Sequence, residues 1–367
     1  MNDALRSLLR TELADLTAYV PNDPPGITVR LDANEAPAAA SDEVRTIVGR
    51  AMARVPLERY PDARASVLKD AIAARTGAKA EEILVGTGSD EVIALLLNAL
   101  ARPRPKLPQA VVLSPTPTFV MYRVTARAHG MKSLEVPLDA GWDLDAEAMK
   151  RAVLAVSPNV VFIASPNNPS GNRMSESRLV SVIEAAAGAF VVLDEAYVDY
   201  ASGSLRDLRV RYPHLGILRT VSKVGLAALR VGWLEADAEL VREIDKGRQP
   251  FNVSATSQAG AAAVLSEGWA AVSAQVAVVV RERRRVAEEL SRIPGFAVTP
   301  SEANFLWVRT ECPAQEVFAA LATRGVLVRS FHAAGGRLAN QLRITIGSAS
   351  ENDRLLEAMR GIEAGGR

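Results

Sequence analysis

Several polar groups in this chain stand at or just past the ends of apolar, Val/Ile-rich runs, and each brings its own chemistry. Lys223 follows ILRTVS, Asp194 ends FVVLD, Asn168 lies in SPNNPSG after VVFIA, and GTGSDE opens after EILV. A lysine at the end of an apolar run is desolvated, which lowers its pKa. Such an amine is nucleophilic toward aldehydes and forms Schiff bases. A carboxylate behind four apolar residues, as Asp194 is behind FVVL, needs a partner, and a cationic ring nitrogen would be one. Tyr197, in the same DEAY segment, can reach the same ligand. An Asn168 amide at a strand end can donate to a ligand oxygen. Gly86 and Gly88 permit left-handed backbone, and Ser89 or Asp90 can cap the helix that follows. Exposed amides at such a helix start bind anions, usually phosphate. Arg230, in GLAALRVG, offers a second phosphate contact.

Each signal read singly also fits a plainer role: a well-capped helix, an ordinary turn, a structural ion pair, or a lysine that snorkels to water. Their union is more specific. An anion cradle, an amide, a carboxylate, a phenol and a strand-end lysine, in that order, are what pyridoxal phosphate requires.

For groups so far apart in sequence to meet, the apolar runs must be neighbouring strands. EILVGTG, QAVVLSP, NVVFIASP, AFVVLDE and LGILRTVSK alternate with helical segments such as SDEVIALLLNAL and ESRLVSVIEAAAG. That alternation predicts an α/β fold with a mainly parallel sheet flanked by helices. In such sheets ligands bind outside the carboxyl ends of the strands, so the polar residues share one rim. ALRSLLRTELADL reads as a short amphipathic helix and AYVPNDPPG as a turn; 203–215 reads as irregular. Residues 1–40 are expected to form an N-terminal arm contributing to the small domain, 41–250 the large domain and 251–367 a smaller α+β domain with strands in FAVTPS, NFLWVRT, VLVRS and LRITIG.

The 367 residues, 49% hydrophobic and 23% charged, suit a folded two-domain protein. A net charge of +1 gives no general electrostatic reason to bind nucleic acid or acidic membranes. One cysteine, Cys312, excludes an internal disulfide framework, and three scattered histidines argue against a zinc site. No apolar run long enough for a membrane helix is expected. The N-terminus lacks a secretory pattern, so the cytoplasm is the expected location.

The ordered motifs AYVP, LDANEAP, RYPD, GTGSDE, PTFVMY, SPNNPSG, VVLDEAYVDY, TVSK with LRVGW, ANFLWVR and LRITIG run through almost the whole chain. In them the chain resembles the fold-type I pyridoxal-phosphate aminotransferases, and within these the histidinol-phosphate branch. The resemblance implies pyridoxal 5'-phosphate, the substrates histidinol phosphate and 2-oxoglutarate, and a homodimer with shared active sites. It implies that Lys223 is the Schiff-base lysine and proton shuttle. Asp194 would partner the pyridine nitrogen, and Tyr197 and Asn168 the cofactor's phenolic oxygen. Ser222, Arg230 and the backbone of Gly88, Ser89 and Asp90 would hold the phosphate, with Tyr60 reaching it from the neighbouring subunit. Phe119 would stack on the ring. Arg343, with Arg329 as second candidate, would take the substrate anion, and Tyr19 would close over it. Asn34 and Asn304 match motif positions.

Four positions depart from the family pattern: Phe119 where Tyr is frequent, Ala36 for Asn, Ser170 for Thr and Ala228 for Gly. None removes a catalytic group. Stacking needs only an aromatic face. Competing readings are an aromatic amino-acid aminotransferase or a threonine-phosphate decarboxylase on the same fold. Further off are a phosphate-binding protein without covalent chemistry and a catalytically dead regulator. The tryptophans Trp142, Trp233, Trp269 and Trp307 are expected to be packing or surface residues. RERRR is expected to be a solvated helix face, and His129 and His214 to lie at the surface.

Overall fold

The Val- and Ile-rich runs become strands of one large sheet in the computed structural model, which describes residues 2–14, 16–18, 20, 24–37 and 42–365. After a two-residue strand β1 (Val29–Arg30) come β2 (Ile83–Thr87), β3 (Val111–Thr116), β4 (Lys132–Pro137), β5 (Val160–Ala164), β6 (Phe190–Asp194), β7 (Leu215–Thr220) and β8 (Val231–Glu235). Their order is β2-β8-β7-β6-β5-β3-β4. The pairs β3–β4, β3–β5, β5–β6 and β6–β7 are parallel, and β8 runs against both its neighbours. Every residue of β5 and β6 is buried. A parallel sheet covered by helices on both faces explains why these strands read as unbroken apolar runs.

This topology gathers the polar residues. β2, β5, β6 and β7 all end at one rim, delivering Gly88, Asn168, Asp194 and Lys223 there. β8 runs the other way, so its beginning lies at that rim, with Thr87 paired to Val231. That brings Arg230, just before β8, beside Gly88. Gly232 makes the approach possible, because a Cβ there would sit 2.4 Å from the Ser89 backbone nitrogen.

The C-terminal part adds β9 (Phe296–Thr299), β10 (Phe305–Thr310), β11 (Val326–Leu327), β12 (Arg329–Ser330) and β13 (Gln341–Thr345). Four of them form an antiparallel sheet in the order β12-β13-β10-β9, while β1 pairs in parallel with β11. One face of the small sheet (Leu306, Val308, Leu342, Ile344) packs into the main core with Val279, Val317 and Leu355 from the helices behind it. By strand alternation, Phe305, Trp307, Arg343 and Arg329 lie on the other face. That face meets the rim: Trp307 packs edge-on against Trp142, and Phe305 against Tyr197.

Several expectations need correction. The helix expected over ALRSLLRTELADL is only Asp3–Arg6, followed by a 3-10 turn at Thr11–Leu13. The stretch 203–215 contains a short helix, Leu208–Arg211. Residues Ala255–Ser291 do form one helical run long and apolar enough, by length and composition, to cross a membrane. Its inward face, with Ala261, Val264, Val272, Val279 and Val286, is buried in the core. RERRR is not wholly solvated either. Arg283 is buried and donates to the carbonyls of Tyr200 (3.2 Å) and Ala303 (2.7 Å). His129 and His214 are half-buried, each with a ring nitrogen bonded to a helix carbonyl, of Thr125 and Ile183 respectively.

Candidate active site

Asp194 is the floor of the site. It ends β6, and its carboxylate is buried. Oδ2 accepts from the phenol of Tyr122 at 2.5 Å, and Oδ1 from the Ala196 backbone N–H at 2.9 Å. Burial pushes its pKa up to about 6, against the pull of these two donors and of the Lys223 charge. Tyr122 comes from the helix Met121–Ala128 and was not singled out in the sequence reading. Its ring stacks on Phe162 (4.5 Å, 5°) and meets Phe119 edge-on (5.5 Å, 85°). Burial and the neighbouring carboxylate hold the Tyr122 phenol protonated, well above its ordinary pKa.

Lys223 sits in a 3-10 turn, Ser222–Val224, which Gly225 closes in left-handed conformation (φ 97°). Thr220 Oγ1 donates to the Val231 carbonyl (2.8 Å) and accepts from the Ser222 backbone (3.1 Å), fixing the turn against β8. Ser222 is buried, its hydroxyl 2.9 Å from Thr220 Oγ1. Tyr200 donates to the Lys223 carbonyl at 2.6 Å. The Lys223 ammonium lies 5.8 Å from the centre of the Tyr197 ring. Tyr197 is buried, and its phenol oxygen accepts from the Asn34 amide at 2.9 Å. Asn34 adopts a left-handed backbone (φ 56°) that asparagine tolerates. Thr345 Oγ1 accepts its N–H (3.0 Å), and Asn304 donates to its carbonyl (2.9 Å). Both asparagines thus hold the Tyr197 phenol in place.

The anion cradle forms where β2 turns directly into the helix Gly88–Ala99. Gly88 has φ +76°, and a Cβ on it would lie 2.6 Å from the Arg230 guanidinium. Its N–H donates to the Arg230 carbonyl (2.9 Å). The helix start presents positive dipole at this point. Arg230 makes a loose ion pair with Asp90, 3.4 Å apart, with both side chains nearly half exposed. One oxygen of Asp90, Oδ1, is buried with no hydrogen-bond partner among the described residues.

On the opposite wall Arg343 donates to Asn168 Oδ1 at 2.7 Å and to the Asp32 carbonyl. Arg329 is exposed and directly opposite Arg343 in the β12–β13 ladder. Two like charges across a ladder repel unless an anion lies between or beside them. Phe119 is half-buried beside Tyr122. Tyr60 is 82% exposed, its ring stacked on Phe251. Tyr19 lies outside the described residues.

One rim thus brings together an amine, a buried carboxylate, a phenol, an amide and an anion cradle, facing paired arginines. This set suits a phosphorylated aromatic aldehyde with a basic ring nitrogen. The aminotransferase class I and II family matches residues 27–359. The chain belongs to that family.

Relatives of this aminotransferase extend over its length. It is 36% identical to histidinol-phosphate aminotransferase 1 of Burkholderia lata over 97% of this chain and 98% of that one. It is 37% identical to the histidinol-phosphate aminotransferase of Aquifex aeolicus, over 96% and 97% of the two chains. Its fold matches the crystal structure of histidinol-phosphate aminotransferase from Sinorhizobium meliloti in complex with pyridoxal-5'-phosphate. There the TM-score is 0.84, with 23% identity over 98% of both chains.

Three supporting residues of the aminotransferase escaped the sequence reading. Tyr122 closes PTFVMY, one helical turn after Phe119, which was the available signal. Tyr200 closes VVLDEAYVDY and braces Lys223. Arg283 left no usable signal, because its burial depends on carbonyls from two distant loops.

Proposed function

We propose that this aminotransferase moves the amino group of L-histidinol phosphate to 2-oxoglutarate, giving imidazole acetol phosphate and L-glutamate in histidine biosynthesis. Pyridoxal 5'-phosphate is its cofactor. The reading is carried by one observation: the buried Asp194 and the strand-end Lys223 share a rim that faces two cross-strand arginines. The near-full-length relatives named histidinol-phosphate aminotransferase support that substrate.

When bound, the cofactor supplies an aldehyde that takes up the amino group and a ring that accepts negative charge from the substrate carbon. The chain's own residues do the rest. Lys223 would anchor the aldehyde, and its Nζ would carry the proton from the substrate Cα to the cofactor carbon that held the aldehyde. Asp194 would pair as a carboxylate with the ring nitrogen and keep it protonated. Tyr197 and Asn168 donate to the phenolic oxygen, and Asn34 positions the Tyr197 phenol. Gly88, Ser89, Asp90, Ser222 and Arg230 would hold the phosphate, and Phe119 would stack on the ring. Arg343 takes the substrate phosphate in one half-reaction and a 2-oxoglutarate carboxylate in the other, since a forked guanidinium pairs with either anion. Arg329 assists from the neighbouring strand.

The enzyme works as a cytoplasmic homodimer. Tyr60, exposed and stacked on Phe251, supports the dimer as a side chain free to reach a second subunit's cradle. Residues 41–250 act as the cofactor-binding domain and 251–367 as the small domain. The β1–β11 pairing supports counting the N-terminal arm with the latter.

The test is the visible absorbance of the holoenzyme. L-histidinol phosphate is expected to bleach the cofactor band, and 2-oxoglutarate to restore it. A band that ignores this amine but responds to an aromatic amino acid would move the substrate assignment and keep the fold. Carbon dioxide released from threonine phosphate would make the enzyme a decarboxylase.

A further inference from the structure

Resting on the assignment of Asp194 to the cofactor's ring nitrogen, we infer that Tyr122 is the positioning residue that keeps Asp194 an aimed carboxylate. A buried carboxylate without a close cation is unstable as an anion. Among the described residues no ion pair to Asp194 is recorded. The charged groups that face it are Lys223, which favours its ionised form, and Asp90, which opposes it. Two neutral donors make up the difference, one on each oxygen: the Tyr122 phenol on Oδ2 (2.5 Å) and the Ala196 N–H on Oδ1 (2.9 Å). One donor per oxygen fixes the carboxylate plane and leaves each oxygen a further lone pair for a ring N–H.

The phenol is itself held. Its ring lies parallel to Phe162 at 4.5 Å and is fully buried, so water cannot take its place. Its proton is retained at working pH, because burial and Asp194 both oppose ionisation. Tyr122 is therefore a donor whose ionisation is opposed by both its burial and its partner. Hydrogen bonds to charged groups are stronger than those between neutral ones, so its loss weakens the ionic character of Asp194 specifically. A residue that served only as packing would affect every ligand of the site alike.

The experiment compares apoprotein binding of pyridoxal phosphate with that of its 1-deaza analogue, which lacks the ring nitrogen, by equilibrium dialysis. Wild type is expected to prefer pyridoxal phosphate. Tyr122→Phe keeps both ring contacts and is expected to bind pyridoxal phosphate about tenfold more weakly, with the analogue unchanged within about twofold. In an Asp194→Asn background the Tyr122→Phe effect is expected to vanish. Phe162→Leu, which removes the stacking partner and keeps the phenol, is expected to lower the melting temperature and retain the preference. Equal weakening of both ligands by Tyr122→Phe, or loss of preference in Phe162→Leu alone, would overturn the inference and leave the Asp194 assignment standing. A wild-type protein that binds both ligands equally would sink the Asp194 assignment and the inference with it.

Discussion

Two polar pairs at the same rim, each built on a carboxylate, behave in opposite ways. Asp194 and Tyr122 meet at 2.5 Å in a dry pocket, whereas Arg230 and Asp90 stand 3.4 Å apart and nearly half exposed. The first pair cannot rearrange, because Tyr122 is wedged between Phe162 and Phe119. The second is screened by water and worth little. The difference matches what each end must do. A ring nitrogen needs a fixed partner whose protonation is set in advance. A cofactor phosphate that docks from solvent needs a cation whose present partner is easily given up. Burial thus decides which charges are machinery and which are receptors.

The largest effect expected at this rim comes from the group between the two ends. Lys223→Ala should lower transamination by at least about a thousandfold, because it removes nucleophile and proton carrier together. The melting temperature should stay close to wild type, since Lys223 braces its turn through its backbone carbonyl. Steady-state turnover with a thermal melt checks both, and an active variant would refute the role of Lys223. Next comes the wall opposite. Arg343→Lys should cost roughly a hundredfold in kcat/KM, because an ammonium cannot keep the forked contacts. Arg329→Lys should cost only about tenfold, since Arg329 is exposed. Equal losses would show that the two arginines act as one clamp and that burial does not rank them.

The dry end makes a pH prediction of its own. The folded pKa of Asp194 is raised to about 6 from 3.8. Between these values the unfolded chain has lost the proton that the folded one keeps, so stability falls as pH rises. The contribution of Asp194 is fully present below pH 3.8 and lost by about pH 6, a change of order 3 kcal/mol. Asp194→Asn, which does not titrate, should remove that slope from the apoprotein. Denaturant melts of both proteins at pH 4.5 and 7 measure it, and parallel pH profiles would refute the raised pKa.

The comparison also explains what could be read from sequence. Asp194 and Lys223 were visible because parallel strands are continuous apolar runs, so a polar residue at their end stands out. The rim followed from the sheet rule for strand ends, and Arg230 joined it only because β8 is reversed. Tyr122 was hidden in a helix, where an aromatic looks like core; only tertiary packing brings its ring onto Phe162 and its phenol to Asp194. Arg283 was hidden by its neighbours, since a run of arginines predicts solvent and only tertiary contact shows that one of them turns inward. Side chains that terminate elements are legible locally, whereas those that brace other side chains depend on packing between distant segments.

The smallest expected effect tests the wet end. Asp90→Asn removes the partner of Arg230 but keeps the backbone amide that the cradle uses. At 3.4 Å and near half exposure, the pair should contribute under about 1 kcal/mol to apoprotein stability. Freed of it, Arg230 should bind inorganic phosphate up to about fivefold more tightly at low salt. The gain should fade as ionic strength rises, because it is a screened surface term. Calorimetric titration of the apoprotein with phosphate at two salt concentrations measures this. A loss of phosphate affinity, or a stability change as large as that of Asp194→Asn, would mean that Asp90 is a structural part of the cradle. The two ends of the rim would then be built alike.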